Sequence, residues 1–344
     1  MAAPTAQERP RVTVFSLGGT IASTPDEGRG AVIRLRGEDL VRSVPAVGDY
    51  ATVEARDVQR VPSGDLTTDD LLALISEIRT LQAANGDGVV VTQGTDTLEE
   101  TAYLADLLLP GDSPVVFTGA MRNPSLPGAD GPANLLAAIQ VAASPAARGL
   151  GVLVVMNDEV HAARFVRKRQ TTSTATFGSP LVGPLGLIVE GRVNIYVRPP
   201  GRVRVRLPDT IKPVRVGLLT SVFDDDGGLL GAAQTGQLDG LVLASFGGGH
   251  VPARIVPKLA AIAKEIPVVL SSRTFGGELL RQTYGYAGSE TDLLANGLIS
   301  ARALDPLRAR LLLMLTLMAG ADRQVIDRAF DRALTGVGET IIGA

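Results

Sequence analysis

The chain of 344 residues has no cysteine, no tryptophan and two histidines, His161 and His250. Without cysteine there are no disulfides, no thiolate nucleophile and no thiolate metal site. Two histidines far apart in the sequence leave no His-rich metal centre, so no metal is expected. A basic excess is also lacking: the net charge is −3, whereas a nucleic-acid binder normally carries a strongly basic face. No partner of that kind is expected. Long apolar runs are absent too. The most hydrophobic stretch, "LLLMLTLMAGA" from residue 311, is too short to cross a bilayer, so no membrane partner is expected. The first ten residues, "MAAPTAQERP", contain no apolar leader core, which makes a cytoplasmic protein the expectation.

Apolar content is ample, at 45% hydrophobic against 20% charged residues, so a large core can be buried. Continuous apolar runs at 12–16, 88–92, 114–118 and 151–157 read as strands covered on both faces. Between them lie helical patterns: "TTDDLLALISEIRTLQ", with Thr67 or Thr68 as cap, "LEETAYLADLLL", and "PANLLAAIQVAA" with Pro132 in its first turn. This alternation predicts a doubly wound α/β domain. "VNIYVRPPGRVRVRLPDTIKP" breaks the pattern and reads as an edge hairpin followed by a linker ending near Pro213. A second series follows, with strands at 214–219, 240–245 and 267–270, a helix from Pro252, and closing helices near Pro306 and Asp322. The expectation is a larger N-terminal domain over 1–205 with a mostly parallel sheet, a linker at 206–213, and a smaller α/β domain over 214–344.

Four stretches can carry chemistry. In "SLGGT", Thr20 follows two glycines at the end of the first strand, where open parallel sheets bind ligands. It is either a cap on a tight turn or an exposed nucleophile. In "TQGTDTLEE", Thr97 and Glu100 have capping-box spacing, while Thr95 and Asp96, before a helix N-terminus, are either turn residues or part of a polar-substrate pocket. The run Arg167-Lys168-Arg169 is either a solvated basic face or the source of a base, since lysine serves where burial disfavours its ammonium. "GAMRNPSLPGADGPAN" is a polar loop after the third strand. His161 and His250 read as isolated histidines rather than ligands.

Together these stretches resemble the bacterial-type asparaginase/glutaminase family of amidohydrolases. "LGGTIAS", "TQGTDTLEETAYLADLLL", "FTGAMRNPS", "GADGPANLLAAI" and "VVMNDEVHAARFVRK" occur in family order across residues 11–335. The resemblance implies hydrolysis of the side-chain amide of L-asparagine, and more weakly of L-glutamine, through an acyl-enzyme. It implies no metal and no organic cofactor, and a homodimer or homotetramer. Carried onto this chain, Thr20 is the nucleophile, and Thr95, Asp96 and Lys168 form a polar triad. Lys168 takes the proton from Thr95 or a bridging water. Asp96 also receives the substrate ammonium, and Ser63 with Gly64 binds its carboxylate. Backbone around Gly94, Thr95 and Ala120 holds the reacting amide. Glu290 reaches the ammonium from a neighbouring subunit. The chain departs from the pattern after Thr24, where a tyrosine is usual, at Gly64, where glutamine is frequent, and at Gln93, where histidine is frequent. Ser23 or Thr24 would stand in for the tyrosine. A silent amino-acid-binding protein and a tRNA-linked amidotransferase subunit are the alternative readings on the same scaffold.

Overall fold

A computed structural model describes residues 9–28, 30–110, 112–334 and 339–342. The N-terminal residues 1–8, read above as lacking a leader core, lie outside this range. The chain divides into two compact units, residues 1–199 and 200–344.

In the first unit the strands are β1 (Arg11–Ser16), β2 (Ser23–Asp26), β3 (Gly30–Ile33), β4 (Thr52–Asp57), β5 (Gly88–Thr92), β6 (Val115–Thr118), β7 (Val152–Met156), β8 (Glu159–Ala162), β9 (Arg167–Lys168), β10 (Phe177–Gly178), β11 (Gly186–Val189) and β12 (Arg192–Ile195). Its helices are α1 (Gly37–Arg42), α2 (Thr68–Asn85), α3 (Leu98–Leu108) and α4 (Gly131–Ala143). Eight strands make one sheet in the order β12-β11-β8-β7-β6-β5-β1-β4. The five from β7 to β4 run parallel, and β8, β11 and β12 add an antiparallel margin. β5, β6 and β7 are buried along their whole lengths, which is why they read as unbroken apolar runs. α3 and α4 pack on these central strands. α2 starts at Thr67, whose hydroxyl accepts the Asp70 N–H while the Asp70 carboxylate accepts the Thr67 N–H.

In the second unit, β13 (Val203–Arg206) pairs in parallel with β18 (Glu339–Ile342). A four-stranded parallel sheet runs β14 (Val216–Thr220), β15 (Gly240–Ser245), β16 (Val268–Ser272) and β17 (Ile299–Ser300). Its helices are α5 (Gly231–Gln234), α6 (Val256–Glu265), α7 (Glu290–Ala295), α8 (Pro306–Met318) and α9 (Arg323–Arg332). α8, which contains most of the "LLLMLTLMAGA" run, packs on β14, β15 and β16 with Leu311 to Leu315 buried, so its hydrophobicity fills a core. Among the described residues no helix is long and apolar enough to cross a membrane.

The expected edge hairpin does not form. β12 pairs with β11 upstream, and β13 finds its partner β18 more than a hundred residues away. Arg206, placed at the head of the expected linker, ends β13. The compact units meet at Pro199–Pro200, ahead of the expected end at 205. A charged alternating strand carries no mark of which neighbour will pair with it.

His161 is fully buried on β8, with Nδ1 3.0 Å from Ser179 Oγ. Burial, with the nearby Arg169 guanidinium, pushes its pKa down to about 4. The unfolded chain, with an ordinary value near 6.5, therefore binds the extra proton first. This contribution to stability is complete above pH ~6.5 and is lost as pH falls toward 4, at a cost of about 3 kcal/mol. We expect urea unfolding to show a weaker pH dependence over that window in His161→Gln than in the unsubstituted protein; equal slopes would contradict this.

Candidate active site

β1, β5 and β6 end in register, with Ser16 beside Thr92 and Thr92 beside Thr118. Three loops leave this common edge, and close backbone contact holds them together. Gly19 sits at φ 86°, ψ −170°, and a Cβ there would lie 2.2 Å from the Gly94 nitrogen. A Cβ on Gly119 would lie 2.6 Å from the Gln93 carbonyl oxygen and 3.2 Å from Thr95 Cγ2. The glycines allow three polar loops to converge at the carboxyl edge of the sheet.

Thr20 opens a short 3-10 turn, Thr20–Ala22, whose cap position is Gly19. Its side chain caps nothing, and among the described residues it makes no hydrogen bond. Ser23 closes the turn instead: its buried hydroxyl donates to the Gly19 carbonyl at 2.9 Å. That bond uses the one Ser23 donor and leaves its oxygen only as an acceptor. After it comes the antiparallel hairpin β2–β3, in which Thr24 faces Val32.

Thr95 is buried, and Asp96 beside it has 82% of its side chain exposed. Lys168, on β9, reaches both. Its Nζ donates to Thr95 Oγ1 at 3.0 Å and to Asp96 Oδ1 at 2.6 Å. β9 and β10 form the small hairpin that presents it, with Lys168 opposite Phe177. Thr176 braces the loop that joins the two strands: its hydroxyl accepts from the Gln170 N–H at 2.8 Å and donates to the Gln170 carbonyl at 2.6 Å. The basic run is therefore split: Arg169 is exposed, while its first two residues turn inward. Lys168 turns toward Thr95, and Arg167 faces Glu99, with 3.8 Å between Nε and Oε2.

Ser63 is buried against the same loop. A Cβ on Gly94 would lie 2.9 Å from its Oγ, and that Oγ accepts from the Thr97 N–H at 3.4 Å. Thr97 does not form the expected capping box. Its hydroxyl donates to the Ser63 carbonyl at 2.9 Å, tying the Ser63 turn to the head of α3. The sequence spacing was adequate for the box, but tertiary contact supplied another acceptor. Beside Ser63, Gly64 is open: a Cβ there meets nothing.

Three further polar residues shape the site. The Gln93 amide donates to the Gly94 carbonyl, and its oxygen accepts from Thr101, 2.8 Å away on α3. The Asp130 carboxylate accepts the N–H groups of Met121 and Arg122, which pins the loop around Ala120. Asn134 donates to the Gly119 carbonyl and accepts from the Asn157 N–H. For Asn134, as for Thr101, the signal available in the sequence was a polar residue on an otherwise apolar helix.

Glu290 lies in the second unit, at the start of α7, and is fully buried. Oε1 accepts the Thr283 and Tyr284 N–H groups at 2.8 Å each, and Oε2 lies 3.2 Å from His250 Nε2. Burial raises its proton affinity, but the Tyr284 and Thr283 amides, its own backbone and His250 outweigh that and hold its carboxyl below the ordinary glutamate range. His250 in turn packs edge-on against Tyr284 and Tyr286. No group of acidic or histidine side chains among the described residues could hold a metal ion.

Residues 11–201 match the family described as Asparaginase, N-terminal, and residues 215–330 match the Glutaminase/Asparaginase C-terminal domain. The chain is 38% identical over 335 residues to a probable L-asparaginase of Deinococcus radiodurans, covering 94% of this chain and 98% of that one. It is 36% identical to L-asparaginase 2 of Escherichia coli K12, covering 94% and 93% of the two chains. The crystal structure of a probable cytoplasmic L-asparaginase from Campylobacter jejuni superposes with a TM-score of 0.81 at 32% identity, over 94% of this chain and 99% of that one. Agreement in sequence and fold across nearly the whole length, with a lysine, two threonines and an aspartate at one sheet edge, makes this chain a member of the asparaginase family.

Proposed function

We propose that the protein is an L-asparaginase that hydrolyses the side-chain amide of L-asparagine to L-aspartate and ammonia. The observation that carries this reading is the contact of Lys168 Nζ with both Thr95 Oγ1 and Asp96 Oδ1. A base, a hydroxyl relay and a carboxylate are joined at the end of two parallel strands, beside a glycine turn that carries a second, unbonded hydroxyl.

Thr20 Oγ attacks the amide carbon. Its proton passes through Thr95, or a bridging water, to Lys168 and then to the departing nitrogen, which leaves as ammonia. The C–N bond breaks and a threonine ester forms. Water then attacks this ester with help from the same relay, releasing aspartate and restoring the Thr20 hydroxyl. N–H groups around Thr95 and Ala120 receive the tetrahedral oxyanion, for which a single donor is worth about 3 kcal/mol. Asp96, with most of its side chain open, receives the substrate ammonium while keeping its bond to Lys168. Ser63 and the backbone at Gly64 receive the substrate carboxylate. Glu290, held by the Thr283 and Tyr284 amides, binds the substrate ammonium of a neighbouring subunit's site in the assembled oligomer.

L-Glutamine is a weaker second substrate in this reading; one extra methylene changes transition-state binding by only ~1–3 kcal/mol, so it is not excluded. We place the enzyme in the cytoplasm, like the Campylobacter neighbour. We also assign it a homodimeric or homotetrameric state. The outermost strand β12 supports association, because Val189, Tyr196 and Val197 beside it are exposed.

The test is ammonia release from L-asparagine and L-glutamine by purified protein, with acid quenching during turnover. We expect hydrolysis of asparagine in preference to glutamine, and an aspartyl adduct on the peptide containing Thr20. Aspartate binding with no ammonia from either amide would overturn the enzyme reading in favour of a silent amino-acid-binding protein.

A further inference from the structure

Two ion pairs tie the strand carrying Lys168, and the turn just before it, to the helix that follows Thr95 and Asp96. Every residue of α3 except Glu100 is buried, yet the helix carries Glu99 and Asp106 on this apolar body. They are seven residues apart, two turns along one face and about 10 Å apart on the axis. Arg167 Nε lies 3.8 Å from Glu99 Oε2, and Arg164 Nη1 lies 3.6 Å from Asp106 Oδ2. The Arg164 and Asp106 side chains are 3% and 1% exposed, and those of Arg167 and Glu99 are 19% and 7% exposed. Asp106 also accepts the Val152 N–H at 2.8 Å, which brings β7 into the arrangement.

Buried ion pairs of this kind are poor sources of stability, because removing both charges from water offsets most of their attraction. Their effect is geometric. Arg167 is the residue immediately before Lys168, and Glu99 lies three residues after Asp96. A shift of β9 away from α3 would lengthen the 3.0 Å Lys168–Thr95 contact and uncover two buried charges at the same time. The pairs therefore hold together the two segments whose side chains form the triad. Arginine suits the task better than lysine, since its rigid planar fork loses less freedom when it is held.

We propose that Arg167–Glu99, backed by Arg164–Asp106, is a clamp that sets the distance between Lys168 and Thr95, with Glu99 and Arg167 acting as positioning residues for amide hydrolysis. This rests on the asparaginase reading above. Glu99→Gln keeps the shape and removes the charge. In that variant kcat for asparagine is expected to fall about tenfold with KM within a factor of two, and the acidic limb of the kcat–pH profile to shift. Arg167→Gln behaves the same way, and Arg167→Lys recovers most of kcat. A crystal structure of Glu99→Gln, or of Arg167→Gln if the first does not fold, is expected to show Lys168 Nζ beyond hydrogen-bond reach of Thr95 Oγ. A lowered melting temperature with unchanged kcat, pH profile and Nζ–Oγ distance would overturn the clamp. Failure of the unsubstituted enzyme to release ammonia would instead overturn the asparaginase reading, and the crystallographic distance would still decide the clamp.

Discussion

Lys168→Met is expected to lower kcat for asparagine by about 10³-fold, within the range of 10²–10⁴ typical of a positioned general base. Methionine preserves much of the side-chain volume and deletes the donor to both Thr95 and Asp96. Because Lys168 and Thr95 are joined at 3.0 Å, and in the proposed mechanism act on one proton, their effects should not multiply. Thr95→Val is expected to give a loss of similar size, and the double variant one little larger than either alone. Aspartate binding survives in Lys168→Met, since Asp96 keeps its charge and is 82% exposed. Single-turnover rates and calorimetric aspartate titration of the three variants check this. A kcat within tenfold of the unsubstituted enzyme, or full multiplication of the two losses, would remove Lys168 and Thr95 from a shared proton path.

Gly19→Ala is expected to abolish activity and to destabilise the first unit by about 3 kcal/mol or more. Two independent penalties act there. The backbone at φ 86°, ψ −170° is essentially reserved for glycine, and enforcing it on alanine costs ~1–3 kcal/mol. The new Cβ would also lie 2.2 Å from Gly94 N and 2.3 Å from Gly94 Cα, both backbone atoms that cannot swing aside. The Thr20 and Thr95 loops must then separate, and the chemistry depends on their closeness. Gly48→Ala is the control: its Cβ meets nothing, and its φ is not positive. Urea unfolding and ammonia release on both variants check the contrast. Near-native turnover in Gly19→Ala would show that the two loops need not touch.

Much of this was legible in the sequence because burial on both faces leaves a plain mark. β5 and β15 coincide with the apolar runs at 88–92 and 240–245, and α8 begins at Pro306, where a closing helix was expected. Short, half-buried pairings left no such mark. β4 alternates exposed with partly covered residues, β9–β10 has two residues per strand, and β13 pairs with a strand at the far end of the chain. Their existence depends on neighbours remote in sequence.

The site divides in the same way. The residues alone left Thr20 open as a cap or a nucleophile and Lys168 open as a solvated charge or a base; the order of the motifs, through their resemblance to the asparaginase/glutaminase family, singled out Thr20, Thr95, Asp96 and Lys168 together. Which way each side chain turns was decided only by the tertiary structure. Thr97 chose the Ser63 carbonyl over its own helix, Ser23 chose the Gly19 carbonyl, and Glu290 turned inward to His250 and two amides. The Arg167 and Arg164 pairs with α3 likewise join residues about sixty apart in the chain. The reason is physical: a buried polar group takes whichever partner folding brings within about 3 Å, and that choice is made by packing across the chain and not by local spacing.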